Sequence, residues 1–136
     1  MRGVRLALVV VLVAAGAAGL IRVADRGTAL AAGGLLTLVS LVFLVVSRVQ
    51  LGSSFAVRPQ AKKLVTHGLY RKIPDPLYAF LDLALVGVIV AARQAVWLFF
   101  WAVLVAAHVW AARREAAVLE GAFGDEYRAY RRTTWW

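Results

Sequence analysis

The feature that most limits how this chain can fold is the run from Gly27 to Ser47, which carries no charged residue between Arg26 and Arg48. A helix of about 20 mostly apolar residues is what crosses the hydrocarbon core of a bilayer. The chain of 136 residues is 62% hydrophobic and 17% charged, against roughly 45–50% and about 25% in soluble domains. An aqueous core of this size cannot bury so many apolar side chains, so the composition favours a single integral membrane domain.

Three further apolar segments accompany this run. They extend from about Leu6 to Ile21, from about Leu77 to Ala92, and from Gln94 to Ala112. The predicted fold is therefore all-α, an integral membrane protein with four transmembrane helices at about residues 4–23, 28–47, 76–92 and 95–112, a loop at 48–75 and a tail helix at 113–134. Because so few residues separate the last two spans, we expect them to form a tight hairpin.

The first segment has a second interpretation as a signal peptide, since it has a basic start, an apolar centre and small residues in AAGAAG. No sizeable soluble domain follows it, and this favours a membrane helix.

Basic residues set the expected orientation. With four spans, the amino end, the long loop and the tail share one side of the membrane, and that side holds Arg2, Arg5, Arg48, Arg58, Lys62, Lys63, Arg71, Lys72, Arg113, Arg114, Arg128, Arg131 and Arg132. The opposite side holds only Arg22, Arg26 and Arg93. Because basic residues favour the cytoplasmic side, we expect a multi-pass protein with both termini in the cytoplasm.

The rest of the composition narrows the chemistry. The absence of cysteine removes disulfides, thiolate metal sites and cysteine nucleophiles. With only two histidines, His67 and His108, a metal site is not expected. The net charge of +9 is better explained by contact with anionic lipid than by nucleic acid, because the chain is so apolar.

The fourth helix is expected to continue beyond the membrane. Its apolar side would pass through Ala112, Ala116, Leu119 and Phe123, at helical spacing. Gly124 is a natural end for this helix, and Asp125 can begin another turn. In the second helix, Gly33 and Gly34 favour close helix packing. The terminal Trp135 and Trp136 suit the membrane interface.

A polar stretch, GLYRKIPDPLY at residues 68–78, separates the two apolar halves. Asp is favoured at a helix N-cap and Pro at the first helical position, so Asp75 and Pro76 are expected to start the third helix. A helix start of this kind also offers free amides to a ligand.

Three stretches around this region carry motifs in a fixed order. The first stretch, LVTHGLY at 64–70, is similar to the pattern LVT-x-G-x-Y. The second, PDPLY at 74–78, stands where the pattern Arg-His-Pro-x-Tyr is expected. The third, EAAVLEGAFGDEYRAY at 115–130, is similar to Glu-Glu-x-x-Leu-x-x-x-Phe-Gly-x-x-Tyr-x-x-Tyr. Together they resemble the isoprenylcysteine carboxyl methyltransferase family, small integral membrane enzymes that use S-adenosylmethionine. The resemblance covers about residues 50–134.

The resemblance implies that S-adenosylmethionine is the cofactor and that a lipophilic molecule is the acceptor. By this resemblance the cofactor contacts fall on Lys62, Lys63, Leu64, Val65, Tyr70, Asp75, Pro76, Leu77, Tyr78 and Glu115. Tyrosine rings can pack on the adenine, and Glu115 can bind the cofactor's ammonium or ribose through charge-assisted hydrogen bonds.

The chain also departs from the family pattern. Pro74 and Asp75 stand where the motif has arginine and histidine, and Ala116 replaces the second glutamate. A family arginine linked to the substrate would fall on Ala111. These departures leave the identity of the acceptor open.

Four further residues are candidates for contact with the acceptor: Asp82, His108, Arg114 and Tyr127. Each has a structural alternative. Asp82 can be an acid near the interface that reaches water, and His108 can make a hydrogen bond that packs two helices. Arg114 can be an anchor at the membrane surface, and Tyr127 can pack the tail.

The leading functional hypothesis is a membrane methyltransferase that uses S-adenosylmethionine to modify an isoprenylcysteine-like or other small lipophilic acceptor. Three alternatives stay open: a phospholipid N-methyltransferase, a non-catalytic membrane protein that retains the fold, and, more distantly, a membrane reductase with a nicotinamide cofactor.

Overall fold

The computed structural model describes residues 2–52, 64 and 66–135. Five α-helices and a short 3₁₀ turn follow one another along these residues: α1 Arg2–Val23, α2 Arg26–Leu51, the turn Gly68–Arg71, α3 Pro76–Ala92, α4 Trp97–Phe123 and α5 Asp125–Thr133. The described part of the chain contains no strand. The predicted all-α class is therefore confirmed.

Two helices are long and apolar enough to cross a membrane, Gly3–Val23 in α1 and Arg26–Leu51 in α2. Most of their apolar side chains point away from the protein, including Leu12 at 70% and Leu35 at 64% exposure. An outer surface of this kind matches lipid and not water. The helix α3 is apolar but only 17 residues long, so the crossing of the bilayer by α3 and α4 stays a prediction.

Helix boundaries follow local signals in the sequence. Asp25 caps α2 by accepting hydrogen bonds from the backbone N–H groups of Gly27 at 2.9 Å and Thr28 at 3.2 Å. Gly124, with φ of 53°, ends α4, and α5 begins at Asp125. The predicted end of the fourth helix and the extra turn after it are confirmed.

The most extensive contact between helices joins α2 and α3, where small residues let the two backbones meet. A Cβ atom on Gly33 would overlap the carbonyl oxygen of Gly87, and one on Gly87 would overlap Thr37. The Thr37 hydroxyl lies 3.2 Å from the carbonyl oxygen of Ala84, to which it donates. The predicted packing role of Gly33 is confirmed, whereas Gly34 has no neighbour within 4 Å of an added Cβ.

A second cluster joins α1, α3 and α4. Its buried members are Ala17, Ile21, Val86, Ile89, Val90, Trp101 and Val105. The turn between α3 and α4 is held beside α1, because the guanidinium of Arg93 donates a hydrogen bond of 3.3 Å to the carbonyl oxygen of Ile21.

The tail docks on the 3₁₀ turn that precedes α3. Tyr130 donates its hydroxyl to the carbonyl oxygen of Tyr70 at 2.6 Å, and the N–H of Trp135 donates to the carbonyl oxygen of Lys72 at 2.8 Å. The ammonium of Lys72 in turn lies 3.2 Å from the carbonyl oxygen of Thr133. These bonds bring α5 against the start of α3 and enclose the space between them.

Candidate functional site

A cavity of about 280 Å³ lies between α1, α3, α4 and α5. Its lining consists of Gly3, Leu6, Asp75, Tyr78, Ala79, Asp82, Val105, His108, Val109, Ala112, Arg113, Ala116, Tyr127 and Arg131. The helices contribute apolar side chains to the wall, and the start of α3 and the tail contribute charged ones. A concave apolar pocket with a few convergent polar groups is the usual form of a small-molecule site.

Tyr78 links the first turn of α3 to the far part of α4. Its hydroxyl donates a hydrogen bond of 2.6 Å to Oε1 of Glu115. Its ring stacks on the imidazole of His108, with ring centroids 4.9 Å apart and planes inclined by 25°. Tyr78 and Glu115 therefore hold each other in place at the cavity wall, and a hydrogen bond to a charged acceptor contributes about 1.5–3 kcal/mol.

Asp82 and His108 form the next link between the same two helices. Nδ1 of His108 lies 3.0 Å from Oδ1 and 3.1 Å from Oδ2 of Asp82. One heptad earlier on α4, the indole N–H of Trp101 donates to the carbonyl oxygen of Asp82 at 3.1 Å. Trp101, His108 and Glu115 are seven residues apart and share one face of α4.

Asp75 occupies the N-cap position of α3, followed by Pro76 as predicted, but its side chain makes no capping hydrogen bond. The carboxyl group lines the cavity instead. Burial raises the pKa of Asp75 to about 6, the negative charge of Glu115 adds to this rise, and Arg131 opposes it. The folded protein therefore disfavours the charged form of Asp75, and ionisable groups with a pKa perturbed in this way are common at functional sites.

Tyr70 lies beside this group without lining the cavity. Its side chain is 6% exposed, and its hydroxyl has no hydrogen-bond partner among the described residues. Burial raises the pKa of Tyr70, and the nearby charges of Asp75 and Glu115 add to the rise. A buried hydroxyl without a partner is costly, and this one lies near the charged groups of the candidate site.

The structure brings together several residues that the sequence singled out. Asp75, Tyr78, Asp82, His108 and Tyr127 line the cavity, and Glu115 joins them through Tyr78. Other candidates, namely Leu64, Tyr70, Pro76, Leu77 and Arg114, are described but do not line it. The candidates Lys62, Lys63 and Val65 lie outside the described residues.

Two cations of the cavity were not among the candidates for contact with the acceptor. Arg113, and not its neighbour Arg114, lines the wall, while the guanidinium of Arg114 lies over the ring of Trp110 at 4.8 Å. Arg131 reaches the cavity from α5. Arg131 follows Tyr127 by four residues, so helical spacing alone places both on one face of α5. No comparable signal separated Arg113 from Arg114.

Exposed apolar helices around a mainly apolar cavity with a few charged groups are typical of a membrane-associated protein. Residues 27–126 match the model of the phospholipid methyltransferase family. This match spans well over half of the chain, and the chain belongs to that family. The family falls in the same clan of membrane methyltransferases as the isoprenylcysteine carboxyl methyltransferases, so the resemblance seen in the motifs is confirmed at that level. No curated protein and no solved structure matches the chain.

Proposed function

We propose that this protein is a methyltransferase that transfers a methyl group from S-adenosylmethionine to a lipophilic acceptor reaching the cavity from the bilayer. The observation that carries the proposal is the cavity itself, in which Asp75, Tyr78 and Asp82 lie against apolar helices in a chain of the phospholipid methyltransferase family.

The charges of the lining fit the cofactor. Asp75 suits its ammonium and sulfonium groups, and Tyr127 suits its adenine. A volume of about 280 Å³ is close to the lower end of small-molecule pockets, roughly 300 Å³. We therefore expect the described cavity to hold one molecule and the acceptor's chains to lie in the surrounding lipid.

The motif residues fill out the cofactor site in this proposal. The start of α3 supplies Asp75, Pro76, Leu77 and Tyr78, and Tyr70 and Glu115 lie near it. Four further candidates precede α3 in the chain: Lys62, Lys63, Leu64 and Val65. When bound, S-adenosylmethionine supplies an electrophilic methyl group on a positively charged sulfur. The residues of this chain orient the acceptor and exclude water, which is where most of the rate of a methyl transfer arises.

Two acceptor classes have support. The family match and the mixture of Asp82, Arg113 and Arg131 in one cavity favour a phospholipid headgroup, which carries an amine beside a phosphate. The order of the sequence motifs favours an isoprenylcysteine-like carboxylate, which Arg113 could hold.

Binding of S-adenosylmethionine is the direct test. Titration calorimetry on the detergent-purified protein should give a saturable heat with S-adenosylmethionine and with its demethylated product. No heat at about 1 mM cofactor, an affinity weaker than about −4 kcal/mol, would sink the methyltransferase proposal. Binding without transfer of labelled methyl groups into lipid extracts would instead support a non-catalytic member of the family.

The proposal includes four membrane spans with the termini in the cytoplasm. Since the chain has no cysteine, single-cysteine variants can be labelled without background. Ala95→Cys, in the turn before α4, should react with an impermeant maleimide added outside the cell. Thr133→Cys should react only after permeabilisation, and the reverse pattern would refute this topology.

A further inference from the structure

The pair Asp82 and His108 has a geometry that cofactor binding alone does not require. We infer that His108 accepts the proton released when the acceptor is methylated, and that Asp82 positions its ring for this role. The inference rests on the proposed function, and it adds that the acceptor atom carries a proton.

The contacts of the ring fix which nitrogen can act. Nδ1 of His108 lies 3.0 Å from Oδ1 and 3.1 Å from Oδ2 of Asp82. Because a carboxylate only accepts hydrogen bonds, Nδ1 is assigned as the donor and the lone pair then lies on Nε2. Nε2 makes no hydrogen bond within residues 2–52, 64 and 66–135.

The ring is accessible and held in place at the same time. His108 lines the cavity, and its side chain is 15% exposed while that of Asp82 is 14% exposed. Tyr78 stacks on the imidazole at 4.9 Å between centroids. Trp101 binds the backbone carbonyl oxygen of Asp82. A base oriented by a partly buried carboxylate and a packed ring is the arrangement found in proton-transfer sites.

The charged and titratable groups that share the cavity with His108 are Asp75, Tyr78, Asp82, Arg113, Tyr127 and Arg131. Asp82 is the group in direct contact, and its negative charge stabilises an imidazolium at hydrogen-bond distance.

The chemical step then balances. An ammonium or hydroxyl acceptor must lose a proton to become a good nucleophile, and Nε2 of His108 takes that proton. The acceptor's lone pair forms a new bond to the methyl carbon as the carbon–sulfur bond breaks. The electron pair of the broken bond stays on sulfur, which becomes a neutral thioether, and His108 becomes an imidazolium paired with Asp82. A carboxylate acceptor has no proton to lose and would not need His108.

The test uses the full-length protein in vesicles that contain an aminophospholipid, with S-adenosylmethionine carrying a labelled methyl group. His108→Gln should lower kcat by about 100-fold or more, the usual contribution of a general base. It should leave the affinity for S-adenosylmethionine within about threefold of the wild-type value and change the pH profile of kcat. The same assay with a prenylated cysteine as the acceptor measures methylation of a carboxylate, which has no proton to lose.

Thr37→Val is the control, because it removes a hydrogen bond between α2 and α3, away from the cavity, without removing a titratable group. Its rate should stay within about threefold of the wild type, with an unchanged pH profile. Equal losses in both variants, with the pH profile retained, would show that the pair only packs the helices and would overturn the inference.

Two further outcomes separate this inference from the proposed function. A wild-type protein that methylates the prenylated cysteine but no aminophospholipid would overturn the inference and leave the methyltransferase proposal intact. A wild-type protein that neither binds S-adenosylmethionine nor transfers methyl groups would overturn both. Should His108→Gln fail to fold, Asp82→Asn is the second variant, and a kcat within about threefold of the wild-type value would overturn the inference.

Discussion

Replacing Asp75 with asparagine should stabilise the folded protein near neutral pH and have little effect in acid. The pKa of Asp75 is raised in the folded protein from the ordinary 3.8 to about 6. The folded state therefore retains a proton that the unfolded state has released, and stability falls as the pH rises from about 4 through 6. One unit of pKa corresponds to about 1.4 kcal/mol, so the charged carboxylate destabilises the fold by up to about 3 kcal/mol above pH 6.

The assay is the free energy of unfolding of wild type and Asp75→Asn in mild detergent, measured at about pH 4 and pH 7.5. The variant should gain on the order of 1–3 kcal/mol at the higher pH and nearly nothing at the lower one. The exposed residue Glu126 provides a control, since Glu126→Gln removes a carboxylate that lies in solvent and not in the cavity. A loss of stability in Asp75→Asn at pH 7.5, or an equal change at both pH values, would refute this electrostatic account.

Three further experiments test separate contacts, two of them with a matched control variant. Glu115→Ala should weaken the affinity for S-adenosylmethionine by about 1–3 kcal/mol, measured by calorimetry, and an unchanged affinity would remove this carboxylate from the site. Gly87→Leu should prevent close contact of α2 and α3 and lower the yield of folded protein in size-exclusion chromatography, whereas Gly34→Leu, which faces open space, should be tolerated; equal yields would contradict the packing. Arg113→Gln should raise the KM for a lipid acceptor more than Arg114→Gln does, because only Arg113 lines the cavity, and equal effects would argue against this distinction.

The parts of the fold that the sequence predicted are those that depend on near neighbours. Gly124 ends α4 because glycine, which has no Cβ, readily adopts the φ of 53° found there. Pro76 starts α3 because the backbone N–H that proline lacks is not needed at the first helical position. Ala112 and Ala116 lie on the less exposed side of α4, as their spacing predicted. Each of these outcomes follows from a few consecutive residues.

Asp75 shows where local reasoning failed. Its position before Pro76 predicted an N-cap, and the position is correct, but the carboxyl group turns to the cavity and makes no capping bond. Residues distant along the chain set the surroundings of this carboxyl group, because α5 brings the favourable charge of Arg131 toward it and α4 brings the unfavourable charge of Glu115. A short-range propensity worth about 1 kcal/mol is readily overridden by such contacts.

By itself, the sequence determined that the chain is helical, that its longest helices are apolar over the length of a bilayer, and which family motifs it carries. The helices follow from the spacing of apolar residues three or four positions apart, and the motifs are present in the sequence itself. Only the tertiary structure decided that His108 meets Asp82, that Tyr78 meets Glu115, and that Arg113 enters the cavity. These pairings depend on how α3 is set against α4, and that arrangement joins residues far apart in the sequence, which helical periodicity does not relate.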